Sequence, residues 1–131
     1  MGVIMIPTKY DFTIWKGGTW SITVLAEDAA AGDVDFSADY TGMRMQIRRS
    51  WKSSTENYSG SPLLELTTEN GRIAVAGDGS SITLTISAAD TASIAFNSGS
   101  YDLELVNTDE TPTVVDKLLY GTVTVMGEVT I

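Results

Sequence analysis

Leu63-Leu64-Glu65-Leu66-Thr67-Thr68-Glu69-Asn70-Gly71-Arg72-Ile73-Ala74-Val75 is the stretch whose reading decides the fold. Leu64 and Leu66 alternate with Glu65 and Thr67, the period of two of a strand with one buried face. Asn70-Gly71 is the dipeptide that supplies the two positive-φ positions of a type I′ turn, and Ile73 and Val75 resume the alternation. The stretch therefore predicts strand, tight turn, strand, and an antiparallel β-protein.

The same alternation recurs on both sides of it. Tyr10, Phe12 and Ile14 alternate with polar residues, Lys16-Gly17-Gly18 turns the chain, and Trp20, Ile22 and Val24 alternate in their turn. Met43, Met45 and Ile47 share a strand with Arg44, Gln46 and Arg48 on its other face. Ile82, Leu84 and Ile86 follow the turn Gly77-Asp78-Gly79-Ser80. Tyr101, Leu103 and Leu105 form another strand, and Val114 to Met126 a long final one. Ser87-Ala88-Ala89-Asp90-Thr91-Ala92 reads as a short helical turn capped by the Ser87 hydroxyl. Between them, 27–39 is a small, acidic loop with a short strand expected at Val34–Phe36, and 50–61 is a polar, Ser- and Gly-rich loop. About eight closely spaced strands without a long helix point to one antiparallel β-sandwich over 9–131, with 1–8 as an extended apolar arm.

Composition narrows the function. In 131 residues there are 17 Asp and Glu against 8 Lys and Arg, a formal charge of −9. Nucleic-acid affinity rests on basic patches that neutralise phosphate, so this balance disfavours it, and it disfavours anionic membrane surfaces as well. Cysteine and histidine are absent, which removes thiolate nucleophiles, disulfides and imidazole acid–base chemistry. No apolar run approaches the roughly 20 residues that span a bilayer, and the first residues lack the pattern of a signal peptide. Glu27, Asp28, Asp33, Asp35 and Asp39 crowd one loop but match no calcium-loop spacing. Asp102 and Glu104 share a strand face, as carboxylates of a glycoside hydrolase could, yet the alternation is that of any solvated strand. No cofactor, metal or catalytic set is assigned.

The remaining candidates are contact residues. Arg44, Arg48, Arg49 and Lys52 place half of the basic residues within nine positions, suited to acidic loops of a neighbour because guanidinium forks match carboxylates. Trp20 is in phase with the core. Trp15 is out of phase with Phe12 and Ile14, and Trp51 opens the polar loop, so both are candidate exposed anchors. Ile4 and Ile6 are the apolar residues of the arm.

Three stretches together resemble a small β-rich protein of tailed bacteriophages. They are Phe36 to Arg48, Leu63 to Ala92 with its Asn70-Gly71 and Ser87-Ala88-Ala89-Asp90, and Tyr101 to Leu105 followed by Leu118 to Val125. Similar segments form the immunoglobulin-like N-terminal domains of upper-baseplate and tail-fibre adaptor proteins, and stand-alone virion proteins. At 37–40 the match is loose, since the family carries an Asp-Leu-Thr-Gly-Tyr turn there. The resemblance implies an immunoglobulin-like sandwich and a non-enzymatic virion structural role at the tail, baseplate or fibre attachment. It also implies assembly in the host cytoplasm, with other virion subunits and further copies of itself as partners. The interface residues expected are Ile4, Ile6, Trp15, Arg44, Arg48, Arg49, Trp51 and Lys52. A capsid decoration protein is the first alternative, and a carbohydrate-binding module using Trp15, Trp51 and Tyr58 the second.

Overall fold

A computed structural model describes residues 6–28, 34–50 and 61–128. The strands are β1 (Thr8–Lys9), β2 (Phe12–Trp15), β3 (Trp20–Leu25), β4 (Gly42–Arg48), β5 (Leu64–Thr67), β6 (Ile73–Val75), β7 (Ser81–Ile86), β8 (Ser98–Asn107) and β9 (Val114–Met126), and the one α-helix described, α1, spans Ala88–Ala92. They form two sheets. The larger runs β1-β9-β8-β4-β5 with β2 also on β9, and the smaller runs β3-β7-β6. The first strands pair parallel with the last while the other pairs are antiparallel. The strand order is that of an immunoglobulin-like β-sandwich, with one additional edge strand on the larger sheet.

The core lies where the inward sets of the two sheets meet. Met43, Met45 and Ile47 of β4, Leu103 and Leu105 of β8, and Ile82, Leu84 and Ile86 of β7 are buried on the strand period read from the sequence. An aromatic trio joins the layers. Phe12 of the larger sheet meets Trp20 of the smaller at 4.5 Å between ring centroids and Tyr101 at 4.9 Å. Such tilted pairs contribute about 0.5–1.5 kcal/mol each beyond their burial.

The deciding stretch is not a hairpin. β5 pairs with β4 in the larger sheet and β6 with β7 in the smaller, so Thr68–Arg72 carries the chain between layers. Only Gly71 has positive φ there, at 80°, so the turn is not type I′. The Asn70 side chain is the physical reason. Its Oδ1 accepts from the Thr67 N–H at 3.0 Å and the Arg72 N–H at 3.0 Å, and its Nδ2 donates to the Glu65 carbonyl at 3.0 Å. Arg72 Nη1 donates to the same carbonyl at 2.8 Å. Groups a hairpin partner would satisfy are satisfied by side chains, and β6 is released to the other sheet.

The strand expected at Val34–Phe36 is absent as well. Asp35 and Asp39 instead fold this segment into a turn: Asp35 Oδ1 accepts from the Ser37 and Ala38 N–H groups, and Asp39 Oδ2 from the Asp35 N–H. Val34, Phe36 and Tyr40 are thereby buried, and the Tyr40 hydroxyl donates to Asp116 at 2.7 Å. The short helix forms as expected, with the Ser87 hydroxyl accepting from the Asp90 N–H.

Two tight sites hold the N-terminal strands. A Cβ added at Gly121 of β9 would collide with the Tyr10 carbonyl oxygen, so only glycine lets the chain pass this close between β1 and β2. Thr91 of α1 is fully buried. Its Oγ1 accepts from the Gly17 N–H at 3.0 Å and donates to the Gly18 carbonyl at 2.8 Å, tying the β2–β3 turn to the helix.

Gly121→Ala is expected to destabilise the fold by about 1–3 kcal/mol or more, the range for forced overpacking, read from the midpoint of urea unfolding. Thr91→Val keeps the shape but takes the hydroxyl partner from the part-buried Gly17 N–H and Gly18 carbonyl. A loss of about 1–3 kcal/mol is expected in the same assay, and an unchanged midpoint would refute the clamp.

Candidate docking surfaces

The outer face of the larger sheet gathers Arg44, Gln46 and Arg48 from β4, Glu65 from β5, Asp102 and Glu104 from β8 and Lys117 from β9. A bulge sets the register. Leu103 pairs with Leu119 but Glu104 pairs with Lys117, so Leu118 is the extra residue. Leu118 and Leu119 are both buried, and Lys117 is left facing Glu104. Arg44 Nε donates to Glu104 Oε1 at 2.5 Å, Lys117 Nζ bonds Asp102 at 2.8 Å, and Lys117 also bonds Glu104. Gln46 donates to Glu65 at 2.7 Å and accepts from Arg48 at 3.1 Å.

Arg44 and Arg48, expected from the sequence to contact a neighbour, are therefore engaged with this chain's own side chains. In sequence, Asp102 and Glu104 stand out only as a candidate acid pair, and nothing marks Lys117. The signal is present as opposite charges at period two on strands that pair, but which strands pair is a property of topology. Arg44 is also half exposed, with 51% of its side-chain surface open, so the pairs are screened by solvent and individually weak.

Arg49, just past β4, shows no hydrogen bond or ion pair among the described residues. It stands at the rim of a shallow groove of about 360 Å³, with Leu63, Leu64, Ile94 and Phe96 among its lining. Arg72 and Asp90 close the rim as an ion pair at 2.8 Å. Ile4, Trp51 and Lys52 lie outside the described residues, as does Tyr58.

The other exposed set follows the edge where the N-terminal strands join β9. Ile6 is 70% exposed and Trp15 61%. Trp15 pairs in register with Met126, which is 41% exposed. Both project from the outer side, because Phe12 and Ile14 of β2 and Val123 and Val125 of β9 take the inner one. Tyr10 is exposed on the same edge. Nothing local marks Met126 as the register partner of Trp15. The one usable signal is that Met126 is out of phase with Val123 and Val125.

Acidity should weaken the charged ladder. Burial pushes the Glu104 carboxyl up, but hydrogen bonds from Lys117 and Arg44 outweigh it and hold the group below its ordinary value of 4.5. Burial likewise works to lower Lys117, and the Asp102 and Glu104 carboxylates outweigh it, leaving the ammonium raised above 10.5. A depressed carboxyl contributes stability above its unfolded value and loses it as pH falls through the folded one. A raised ammonium contributes below its unfolded value and loses it as pH rises through the folded one. The unfolding temperature is thus expected to drop as pH falls below the ordinary carboxyl range. Glu104→Gln should show a smaller drop over that window in a pH series of thermal melts.

No protein-family model matches the sequence and no curated protein matches it. Among solved structures, the chain is similar to a solution NMR structure of a titin I27 domain mutant. That likeness has 13% identity and a TM-score of 0.41, and covers 100% of this chain and 95% of the other.

Proposed function

We propose that this immunoglobulin-like domain is a non-enzymatic structural protein of tailed-bacteriophage particles, docking to neighbouring subunits at the tail, baseplate or fibre attachment. The family reading comes from the sequence resemblance over Phe36–Arg48, Leu63–Ala92, and Tyr101–Leu105 followed by Leu118–Val125. The observation that supports docking is the Trp15–Met126 pair. A tryptophan held outward on a short edge strand, its backbone fixed by β9 in register with an exposed methionine, is preordered for burial in a partner. Large aromatics of this kind concentrate interface energy. The Arg49 guanidinium supplies an electrostatic contact of the sort that sets orientation and encounter rate.

Docking requires no reacting group. Asp35 and Asp39 use carboxylate oxygens to fold their own turn, and Asp102 and Glu104 are held by Lys117 and Arg44. The domain works by rigidity: a sandwich whose first and last strands are paired holds its edge residues in fixed positions relative to each other.

The test is electron microscopy of purified particles carrying a label on this protein, beside particles assembled with the Trp15→Ala variant. Label at the tail end is expected. The variant should melt at the wild-type temperature yet lose most of its incorporation, corresponding to about 2 kcal/mol at the contact. Label over the head would move the protein to capsid decoration, and no label on any particle would overturn the virion reading.

A further inference from the structure

β3 differs from every other edge strand described. The free side of β5 is occupied by the Asn70 and Arg72 side chains. β6 is only three residues long. The β1–β2 edge carries Pro7, Lys9 and Asp11 and is interrupted at Tyr10–Asp11. Short strands, prolines, charges and covering groups are the devices that stop sheets from adding strands. β3 has none of them. It is six residues long, Trp20-Ser21-Ile22-Thr23-Val24-Leu25, among the described residues it is terminal in its sheet, and it contains no charge and no proline.

The hydrogen-bond phase shows which groups it offers. The Ala26 N–H donates to the Ser80 carbonyl at 2.8 Å, and the register pairs Val24 with Ile82 and Ile22 with Leu84. Alternation along an antiparallel ladder then turns the backbone groups of Trp20, Ile22 and Val24 toward β7, and those of Ser21, Thr23 and Leu25 away from it. The outer face beside this edge is a hydroxyl ladder, Ser21 with Thr85 at 3.3 Å and Thr23 with Thr83 at 3.2 Å. On a chain of net charge −9, it is a face where two copies can approach without like charges meeting.

We propose that β3 is a homodimerisation edge, pairing antiparallel with β3 of a second copy about a twofold axis through Ile22, so that two three-stranded sheets become one of six. This register satisfies every constraint at once. Ser21 lies opposite Thr23 of the second copy, both with outward-facing backbone groups free to bond. Trp20 lies opposite Val24, so inner apolar residues stay on the inner face, as pairing without a face flip requires. The turn carrying Lys16 is drawn toward Glu27 and Asp28 of the second copy, an opposite-charge match that shifting the axis by one residue to Thr23 would lose. The contact is isologous and closes on itself, leaving Trp15, Arg49 and the groove of each copy unused. It stands independently of the virion reading.

Sedimentation from micromolar to millimolar protein tests it. The wild-type chain is expected to pass from monomer to dimer and no further. Thr23→Lys, which adds a charge to the outer face beside the edge, is expected to weaken the dimer by at least about tenfold with the melting temperature preserved. Because the chain has no cysteine of its own, Ile22→Cys provides a second reading. The two introduced thiols would face each other on the axis, with about 4.5 Å between the Cα atoms, within reach of a disulfide, so mild oxidation should give a crosslinked dimer. A chain that stays monomeric throughout overturns the proposal. So does a dimer that survives Thr23→Lys and whose Ile22→Cys variant does not crosslink.

Discussion

The parallel pairing of the first strands with the last is the constraint on which the rest of this structure depends. β2 lies along β9 from Phe12 opposite Val123 to Trp15 opposite Met126. Between β1 and β2 the ladder gives way. There the Asp11 carboxylate accepts the Thr122 N–H at 2.8 Å, and this hydrogen bond holds its carboxyl below the usual value. The Tyr101 hydroxyl donates to the Tyr10 carbonyl at 2.5 Å, from a ring already packed on Phe12. Gly121 permits the approach. Once β2 is fixed there, the next turn must cross to the smaller sheet. Thr91 holds that turn, Trp20 follows it into the core, and the aromatic trio closes the two layers on each other.

The second crossing, at Asn70, is made by a different device and has a different effect. Side-chain hydrogen bonds to the open side of β5 release β6 to the far sheet and cover that edge at the same time. The charged ladder has a comparable consequence for the outer face. With Arg44, Lys117, Asp102 and Glu104 matched within the chain, a partner docking on this face would have to desolvate pairs that are already satisfied, and such burial is seldom favourable. The contacts proposed above lie instead at the periphery: the Trp15 corner, the Arg49 rim and the β3 edge.

These differences explain what was legible in the sequence. Strand existence, and which side of each strand is buried, depend on local alternation, and Met43–Ile47, Ile82–Ile86 and Tyr101–Leu105 show it plainly. The helix cap at Ser87 is local too. Sheet membership is not local. Asn70-Gly71 between two apolar stretches looks like a hairpin whether the next strand stays or leaves, and the choice rests on where the Asn70 and Arg72 side chains bond. Val34 and Phe36 have a strand's alternation, but Asp35 and Asp39 are spaced to bond the intervening backbone, and the turn wins. For the candidate contacts, the exposure of Trp15 could be read from its phase. That Arg44 is paired could not, because its partner lies sixty residues away and meets it only through the β4–β8 register.

The clasp between Asp11 and Thr122 joins residues separated by 111 positions, and this has a consequence for how the chain acquires its structure during synthesis. Among the described strands β2 has no partner in the larger sheet other than β9, so one of the first strands made must wait for the last strand of the domain. Until residue 126 has left the ribosome, Phe12 and Ile14 have no ladder to join, and the aromatic trio lacks a backbone-anchored member. Closing such distant contacts is slow because chain entropy is lost before the contacts offset it. The domain thus completes its fold only once β9 is free, and until then its apolar strands are exposed to whatever else is nearby.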